Sequence, residues 1–470
     1  MLKYPLDAGI AEAIYTDQPR VWHQNNPWIE ALPGNPDDKE MYNLLKLELP
    51  YDPQERNLPE YERRECINGL SHIFVPMESS ADITRKTIFA IREGYVERNP
   101  QTTPWLRREM QIQNCVLNKD SSFANITSAN TNASGFCIVG DSGMGKTSAV
   151  NRALRLFPQV ISHTQYKGAS FASTQIVWMH LECPHDGSVK ALCTSFFMEF
   201  DKITGDNTYA KYAQSGRSST DQMIPQMAYI AQRHGLGLLI IDEFQNISVA
   251  KSGGAERMLN VIRQLMNTIG VPILLIGTPP AIEFLTADPA TIRRSTGQQG
   301  MIRVHPLKRL SPDWEGFAKR IWKYQWTDEK TKLSPALKDK LYELCLGNID
   351  LALKLYMETQ RLCLDYGLAG HSEMITPERM QEASERDAFI LVRNKIIEQN
   401  KGTIAGKSME IVPVSSSIYT SLPDKQSVSA VPISGAKPRK NGSRKKSASN
   451  EDLLAKLQER GARVSPEDKF

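Results

Sequence analysis

A short glycine-rich segment has the residue types and the spacing of a phosphate-binding loop. It follows the pattern G-x-x-x-x-G-K-[ST] with a serine after it, and its members are Gly140, Asp141, Ser142, Gly143, Met144, Gly145, Lys146, Thr147 and Ser148. Glycines let the backbone curl until several N–H groups point at one phosphate. Lys146 adds a positive charge for the β- and γ-phosphates, and Thr147 offers a hydroxyl to Mg²⁺. We therefore predict that this segment binds the phosphates of a nucleotide; the alternative is a glycine-rich surface turn.

Two carboxylates further along the chain would complete the chemistry of nucleotide hydrolysis. Asp242 and Glu243 follow the aliphatic run Leu238–Ile241, which is typical of a strand buried on both faces. Open α/β sheets hold their ligands at the carboxyl ends of such strands. Asp242 is predicted to belong to the ligand shell of Mg²⁺, and Glu243 is predicted to polarise the attacking water as a general base. An acidic pair that caps the next helix is the alternative.

The elements that must position these residues alternate between strand and helix. The predicted strands are Phe136–Val139, Ile176–Leu181, Leu238–Ile241, Ile273–Ile276 and Met301–Val304. The predicted helices are Lys146–Leu156, Val189–Ile203, Gln222–Arg233, Glu256–Ile269 and Ala281–Leu285. This alternation, with continuously apolar strands, predicts an α/β domain whose parallel sheet is flanked by helices on both faces.

From about Leu307 the sequence no longer predicts strands, and the segments that follow are predicted to be helices. The predicted helices are Pro312–Tyr324, Pro335–Leu344, Ile349–Tyr366 and Pro377–Gln399. A capping residue precedes a helix-starting proline at two of these starts, at Ser334 and Thr376. An α/β base followed by a small helical lid, with the nucleotide between them, suggests an AAA+ P-loop NTPase. We therefore predict that fold, with ATP and Mg²⁺ as cofactors and ATP hydrolysis as the activity.

The chain as a whole is predicted to have four parts. Residues 1–110 are predicted to form an N-terminal extension packed on the ATPase domain, residues 111–306 that domain, and residues 307–400 the helical lid domain. Residues 401–470 mix Ser, Gly, Pro, Val and Lys without periodicity, which predicts a flexible, disordered basic tail. Within the tail, residues 437–446 carry six positive and no negative charges. They predict an arm for DNA phosphates or for an acidic partner, and a solvated tail is the alternative.

The amino-acid composition, the cysteine pattern and the net charge exclude some classes of protein and leave others open. The 470 residues are 40% apolar and 23% charged, as in ordinary globular proteins. No apolar run approaches the roughly 18 residues of a membrane span, so no membrane partner is predicted. The seven cysteines are scattered and form no C-x-x-C pair, which argues against a disulfide framework or a zinc site and predicts a cytoplasmic location. A net charge of +4 neither demands nor excludes nucleic acid.

An AAA+ fold requires further residues at the phosphate end of the nucleotide. Thr278 follows the strand Ile273–Ile276 and is predicted to contact the γ-phosphate or the water, with a helix cap as the other interpretation. Hydrolysis also requires an arginine supplied by a neighbouring subunit, so it depends on assembly. Arg293 and Arg294 are the candidates, with Arg294 preferred. The alternative is a pair of surface arginines.

The lid shows one departure from the AAA+ pattern. An arginine is usual near a phrase such as Gly347–Ala352, but Asp350 stands in its place. Lys354, one helical turn later, is the candidate substitute. We therefore predict slow, assembly-dependent hydrolysis.

Residue phrases outside the generic ATPase motifs resemble one family. The chain resembles the TnsC/TniB-type AAA+ regulators of transposition, including those of CRISPR-associated transposons, over residues 20–390. Besides the phosphate-binding loop, the phrases that carry the resemblance are Asn26-Pro27…Ala31-Leu32-Pro33, Gly94-Tyr95…Arg98-Asn99-Pro100, Cys183-Pro184-His185-Asp186-Gly187-Ser188, Asp242-Glu243-Phe244-Gln245 and Gly277-Thr278-Pro279. The two N-terminal phrases and the Cys-Pro phrase are the specific part, because the ATPase motifs occur in many families.

The resemblance implies an ATP-dependent adaptor. Such proteins assemble with ATP into rings or filaments around double-stranded DNA, join a target-selector protein to the transposase, and disassemble when ATP is hydrolysed. By the same resemblance Lys190 matches a DNA-contact position, and further candidates follow nearby: Lys202, Thr208, Lys211 and Arg217. Contacts of these side chains with phosphates would give salt-sensitive binding without sequence preference. An ordinary solvated helix face is the alternative for each of them.

Two other functions use the same active site. One is a motor or helicase-loader-like ATPase that remodels its target by continuous hydrolysis. The other is a nucleotide-gated signalling or defence ATPase without a DNA partner. The N-terminal phrases and the missing lid arginine favour the adaptor.

Overall fold

The computed structural model describes residues 9–118, 135–214, 218–249, 254–282, 300–387 and 389–396. Its strands are β1 (Ile10–Glu12), β2 (Phe136–Gly140), β3 (Val160–Tyr166), β4 (Ala169–Ile176), β5 (Trp178–Glu182), β6 (Leu238–Asp242), β7 (Ile273–Gly277) and β8 (Met301–Val304). Its helices are α1 (Pro27–Glu30), α2 (Asp38–Leu45), α3 (Glu60–Asn68), α4 (Glu78–Val96), α5 (Thr103–Asn118), α6 (Lys146–Leu154), α7 (Val189–Thr204), α8 (Thr208–Tyr212), α9 (Thr220–Arg233), α10 (Gly254–Ile269), α11 (Pro312–Ile321), α12 (Pro335–Cys345), α13 (Ile349–Leu368) and α14 (Pro377–Ser384).

Five parallel strands form the larger sheet, in the spatial order β5-β6-β7-β2-β8. The three central strands are buried at every position, as their continuous apolar sequences predict. The predicted parallel α/β sheet is therefore confirmed. One predicted strand, Ile176–Leu181, is wrong at its start, because Ile176 ends β4 and the sheet strand begins at Trp178.

Helices cover both faces of this sheet, and alternate residues of each strand enter two different cores. In β6, Leu238 and Ile240 pack on the side of α4 and α6, whereas Leu239 and Ile241 pack on the side of α7, α9 and α10. This alternation follows from the two-residue period of a strand. The two layers fix the carboxyl ends of β2, β6 and β7 at one edge, where the predicted site residues begin.

A second, three-stranded sheet has the order β1-β3-β4 and was not predicted. Its hairpin strands β3 and β4 are antiparallel, and Lys167 and Gly168 between them both have positive φ, at 49° and 81°. Two consecutive residues of this kind make the tight turn that suits a twisted hairpin. The strands carry Ser, Thr, His and Gln, so they lack the apolar pattern by which the other strands were recognised.

The helical lid consists of α11 to α14, and an AAA+ base followed by helices is confirmed. Each of the four helices has an N-cap side chain that accepts a backbone N–H, and these caps are Ser311, Ser334, Asn348 and Thr376. Such caps satisfy N–H groups that have no partner within the helix. The lid core is rich in large aromatic side chains, among them Trp314, Trp322, Tyr324 and Trp326.

Residues 9–118 contact both the base and the lid. Helices α1 and α4 pack on the base, whereas Ile67 near the end of α3 and Leu70 in the turn after it enter the lid core. Arg63 on α3 forms a buried ion pair with Glu373 of the lid, at 2.9 Å between the Nη2 and Oε1 atoms. The hydroxyl of Tyr51 also donates to the carbonyl of Gln325 at 2.8 Å. The N-terminal region therefore joins the two parts of the molecule.

The two N-terminal phrases singled out in the sequence contact each other. The side-chain amide of Asn26 donates to the carbonyl of Tyr95 at 2.7 Å and accepts from the backbone of Trp28. Arg98 is buried and donates to the carbonyl of Leu236, which precedes β6, at 2.7 Å. In this structure the two phrases hold the N-terminal region on the base.

Candidate active site

The glycine-rich loop runs from the end of β2 to the first turn of α6. Gly143 and Gly145 both adopt left-handed backbone conformations, with φ of 79° and 73°, which side chains strongly disfavour. Gly145 is the N-cap of α6, so the unpaired N–H groups of that helix face the cleft. This combination of curled loop and helix N-terminus is an anion-binding arrangement.

Lys146 lies against the loop it belongs to. Its Nζ atom donates to the carbonyls of Gly140 at 2.7 Å and Asp141 at 2.9 Å. Burial lowers the pKa of Lys146 below its usual value, while the nearby charges of Asp242, Glu243 and Asp141 partly oppose this effect. Burial also raises the pKa of Asp141, and Lys146 and His305 oppose that shift. A bound phosphate would supply a stronger counter-charge for the ammonium group than the loop carbonyls do.

Thr147 and Asp242 meet at the predicted metal position. The Thr147 hydroxyl donates to Oδ2 of Asp242 at 2.7 Å, although 95 positions separate the two residues. Burial alone would raise the pKa of Asp242, but contacts with His180 and Thr147 and the backbone N–H of Glu243 hold it below its usual range. His180 lies on the adjacent strand β5, with Nε2 3.6 Å from Oδ2 of Asp242. A hydroxyl beside an ionised carboxylate is a donor set that suits Mg²⁺, which prefers oxygen ligands and keeps several waters.

Glu243 lies at the mouth of the cleft with its side chain exposed. Its backbone is left-handed, with φ of 52°, and its N–H donates to Oδ1 of Asp242 at 2.7 Å. The Gln245 side-chain amide donates to Oε2 of Glu243 and accepts from the backbone N–H of Thr278 at 3.0 Å. Gln245 appears in the sequence phrase after the acidic pair, but nothing in the sequence assigned it a role.

A single open cleft of about 620 Å³ contains the three predicted catalytic residues that the structure describes, Asp242, Glu243 and Thr278. Lys146, Thr147, Asp242, Glu243 and Thr278 all line it. Its remaining lining comes from other loop residues, from the turn after β6 and from the turn after β7: Asp141, Ser142, Gly143, Gly145, Ser148, Gln245, Asn246, Gly277, Pro279 and Pro280. Among these lining residues, all of which the structure describes, Lys146 is the only cation.

A smaller cavity of about 210 Å³ adjoins the other side of the glycine-rich loop. Its walls come from three parts of the chain: the N-terminal segment around Ile73, Phe74 and Val75, the loop itself with Met144, and the lid at Ile349 and Leu353. Apolar walls next to a phosphate site suit the flat ring of a nucleoside. The sequence did not predict the N-terminal wall, because Ile73 to Val75 carry no motif.

The lid rests directly on the glycine-rich loop. The Asn348 side chain donates to the carbonyl of Ser142 at 2.9 Å, and the Asp350 N–H donates to the carbonyl of Gly143 at 3.1 Å. The Asp350 carboxylate forms an ion pair with Lys354 at 2.6 Å. Lys354 lines neither the cleft nor the smaller cavity, so the expectation that it substitutes for a lid arginine finds no contact in this structure.

Four of the candidate DNA-contact residues, Lys190, Lys202, Thr208 and Lys211, lie on α7 and α8. Lys190 is exposed in the first turn of α7, and Lys202 is 76% exposed and paired with Glu199 at 3.2 Å. Lys211 is exposed with its Nζ 4.9 Å from the ring centroid of Tyr212.

Four other predicted site residues either have an internal partner or lie outside the described part of the chain. The hydroxyl of Thr208 donates to Oδ1 of Asp201 at 2.6 Å, so it stabilises the connection between α7 and α8. Arg217, Arg293 and Arg294 lie outside the described residues. Their roles therefore remain predictions.

Comparison with known proteins gives the class of the central domain. Residues 129–285 match the family model of an AAA domain. No curated protein matches the chain. None of the described helices is both long and apolar enough to cross a membrane.

Several solved structures resemble the chain weakly. A Walker-type ATPase of Pyrococcus abyssi has a TM-score of 0.38 at 15% identity, and the match covers 63% of this chain and 75% of that one. The ORC2 protein of Aeropyrum pernix has a TM-score of 0.35 at 11% identity, over 61% and 69% of the two chains. Cdc6p of Pyrobaculum aerophilum has a TM-score of 0.35 at 15% identity, over 62% and 70%. Likenesses at this level say nothing about what the chain binds or does.

The family match and the geometry of the cleft agree with each other. The matched residues include the glycine-rich loop, the acidic pair after β6 and the threonine after β7. A parallel sheet positions all three at one edge, below a helical lid. The chain therefore carries an AAA-type P-loop ATPase domain with the AAA+ fold.

Proposed function

We propose that this chain is an ATP-hydrolysing adaptor of DNA transposition, of the TnsC/TniB type, that assembles on double-stranded DNA. The observation that supports the ATPase part is the meeting of Thr147, Asp242 and Glu243 in one open cleft beside Lys146. The adaptor part rests on the resemblance of the N-terminal and Cys-Pro phrases to that family. In this role the protein would join a target-selector protein to the transposase.

In the proposed complex, the triphosphate lies along the glycine-rich loop. The backbone N–H groups of the loop and the N-terminus of α6 bind the phosphate oxygens, and Lys146 moves from the loop carbonyls to the phosphates. The adenine enters the smaller cavity between Phe74 and Leu353. Thr147 and Asp242 would hold Mg²⁺, which neutralises charge on the β- and γ-phosphates when it is bound.

Glu243 is the proposed general base. Its exposed carboxylate accepts a proton from water as the water oxygen attacks the γ-phosphorus. The bond between the γ-phosphorus and the bridging oxygen to the β-phosphate breaks, and ADP and inorganic phosphate are the products. The Thr278 hydroxyl is proposed to orient the water or the γ-phosphate at the opposite wall of the cleft.

The cleft lacks a second cation of its own among its described lining residues. Negative charge on the transferring phosphoryl group needs more positive charge than Lys146 provides. We propose that Arg293 or Arg294 of a neighbouring copy supplies it. Hydrolysis would then depend on assembly into a ring or filament, and product formation would weaken that assembly.

DNA binding is proposed for the exposed surface of α7 and α8 and for Arg217, which follows α8 in the sequence. Lys190, Lys202, Lys211 and Arg217 would contact phosphates, with the tail segment 437–446 as a further electrostatic arm. The Thr208 hydroxyl is already bonded to Asp201, so we assign it no phosphate contact. Contacts with phosphates alone give binding that weakens with salt and ignores sequence.

The test compares Glu243→Gln and Lys146→Ala with the wild-type chain. Both variants should lose ATP hydrolysis, with kcat reduced by about 10²–10⁴-fold for Glu243→Gln, because the base is absent. Mass photometry with a random duplex, ATP and magnesium should show longer-lived assemblies for Glu243→Gln and none for Lys146→Ala. A wild-type chain that stays monomeric with nucleotide and duplex, or shows no ATP-dependent gel shift at low salt, would refute the adaptor. Assemblies of Glu243→Gln that form and dissolve like the wild type would favour a motor.

A further inference from the structure

Glu243 has a backbone conformation that is unfavourable for a residue with a side chain. Its φ is 52°, in the left-handed region, and non-glycine residues in this region are held there by their surroundings. Its N–H donates to Oδ1 of Asp242, and its carbonyl accepts from the N–H of Asn246 at 2.9 Å. These two bonds fix the peptide groups on both sides of Glu243, but neither fixes the direction of its carboxylate.

The side chain of Gln245 fixes that direction. Its amide nitrogen donates to Oε2 of Glu243, and its amide oxygen accepts from the N–H of Thr278 at 3.0 Å. One planar group therefore connects the proposed base on the β6 side of the cleft with the turn that follows β7. Because Gln245 binds Oε2, the second carboxylate oxygen of Glu243 is left to accept a proton from water.

Gly277 provides independent evidence that this contact is built into the fold. A Cβ atom at Gly277 would lie 3.1 Å from Oε1 of Gln245 and 3.0 Å from Cβ of Ala281. Its φ is not in the left-handed region, so the backbone itself would accept a side chain at this position. A side chain at Gly277 would therefore crowd both neighbours, and its absence favours the close approach of Gln245 to the N–H of Thr278.

We infer that Gln245 is a positioning residue that aims Glu243 at the attacking water and couples its orientation to the Thr278 turn. This inference rests on the proposed ATPase function and adds a residue to it. The Thr278 turn lies where the γ-phosphate is proposed to bind, so a shift of the turn on phosphate binding or release moves the amide. Movement of the Gln245 amide in turn reorients the carboxylate of Glu243. Gln245 acts through Glu243 and does not itself exchange a proton.

Two substitutions at Gln245 test the hydrogen bonds made by the two ends of its side-chain amide. Gln245→Leu removes both hydrogen bonds, whereas Gln245→Glu keeps an acceptor for the Thr278 N–H but lacks the donor to Glu243. In steady-state ATP hydrolysis with duplex DNA, both should lower kcat by about 10- to 100-fold, the loss typical of a misplaced catalytic group, while KM of Gln245→Leu stays within about twofold of the wild type. Equilibrium binding of a fluorescent ATP analogue by Gln245→Leu should match the wild type, because neither end of the amide holds the nucleotide and this variant adds no charge to the cleft.

A double variant and a matched control complete the experiment. In a Glu243→Gln background, adding Gln245→Leu should cause no further loss, because groups that act as a unit are not additive. Gln381→Leu is the control, since Gln381 donates to Oε1 of Glu385 at 2.7 Å in a bond of the same kind outside the cleft. Its hydrolysis rate should equal that of the wild type.

The outcomes distinguish this inference from the proposed function. Wild-type kcat in Gln245→Leu, or in Gln245→Glu, would overturn the inference while a loss in Glu243→Gln leaves the proposed base standing. Loss of nucleotide binding in Gln245→Leu would also overturn it, because that result indicates a structural role. Undiminished hydrolysis in both Lys146→Ala and Glu243→Gln would instead overturn the proposed function itself.

Discussion

The contact between the lid and the glycine-rich loop makes a quantitative prediction about two glycines. Gly143 and Gly145 have nearly equal φ, at 79° and 73°, so alanine at either position costs about 1–2 kcal/mol of backbone strain. The surroundings differ. A Cβ at Gly143 would lie 2.8 Å from Oδ1 of Asn348 and 3.0 Å from Cβ of Asp350, whereas a Cβ at Gly145 meets nothing within 4 Å.

The difference between the two variants measures the lid contact. Gly143→Ala must displace Asn348 and weaken its bond to the Ser142 carbonyl, which adds about 0.5–1.5 kcal/mol to the destabilisation. We therefore expect a loss of about 1–2 kcal/mol for Gly145→Ala and about 1.5–3.5 kcal/mol for Gly143→Ala. The smaller unfolded-state entropy of alanine is common to both variants and cancels in the comparison.

Scanning calorimetry of the nucleotide-free protein is the assay, because a ligand would add its own contacts with the loop. Each kcal/mol shifts the midpoint by about 2–4 °C in a domain of 150–250 residues, so Gly143→Ala should melt a few degrees below Gly145→Ala. Asn348→Ser keeps an N-cap oxygen for Leu351 but lacks the Nδ2 amide group that donates to the Ser142 carbonyl, so in that background the gap should shrink. Equal midpoints for the two alanine variants would refute the idea that the lid rests on the loop before nucleotide binds.

Two further predictions concern stability. Arg63→Met should destabilise the protein by about 3–5 kcal/mol, because it leaves the Glu373 carboxylate buried without its cationic partner. A double variant that also carries Glu373→Leu should recover part of this loss in thermal unfolding. An Arg63→Met variant as stable as the wild type would contradict the prediction. His163 donates and accepts between Tyr15 and Gln175, and burial lowers its pKa below 6.5 although the Gln175 contact opposes the shift. The unfolded chain therefore binds more protons as pH falls below 6.5, and stability should be lost from that pH downward. His163→Gln should be less dependent on pH in this range, measured by unfolding at pH 5.5 and 7.5, and an unchanged slope would count against the argument.

Local sequence was sufficient for the parts of the site that are short and contiguous. The glycine-rich loop needs only its own residues, a strand before it and a helix after it, and all of these are encoded within Phe136–Leu154. The acidic pair was predictable in the same way. The apolar run before it is typical of a strand of a parallel sheet that is buried on both faces, and the pair follows at the carboxyl end of that strand. The starts of two lid helices were also predictable, because a capping residue precedes proline at Ser334 and Thr376, but the predicted helix Pro377–Gln399 was wrong at its end, since the helix stops at Ser384.

Contacts between distant parts of the chain required the tertiary structure. Arg63 and Glu373 are 310 positions apart, and no periodicity connects them, so the division of the N-terminal region between base and lid was not predictable. The hairpin β3–β4 was missed for a different reason, since its polar strands are paired mainly through backbone hydrogen bonds.

The site itself combines both kinds of information. The amino-acid sequence by itself determined which groups are chemically able to bind and hydrolyse a nucleotide, because a lysine, a hydroxyl and two carboxylates keep their chemistry in any fold. Only the tertiary structure brought Thr147 within 2.7 Å of Asp242 and placed the amide of Gln245 between Glu243 and Thr278. Packing of helices on both faces of the sheet fixes the strand ends relative to one another, and that long-range packing is absent from any local pattern.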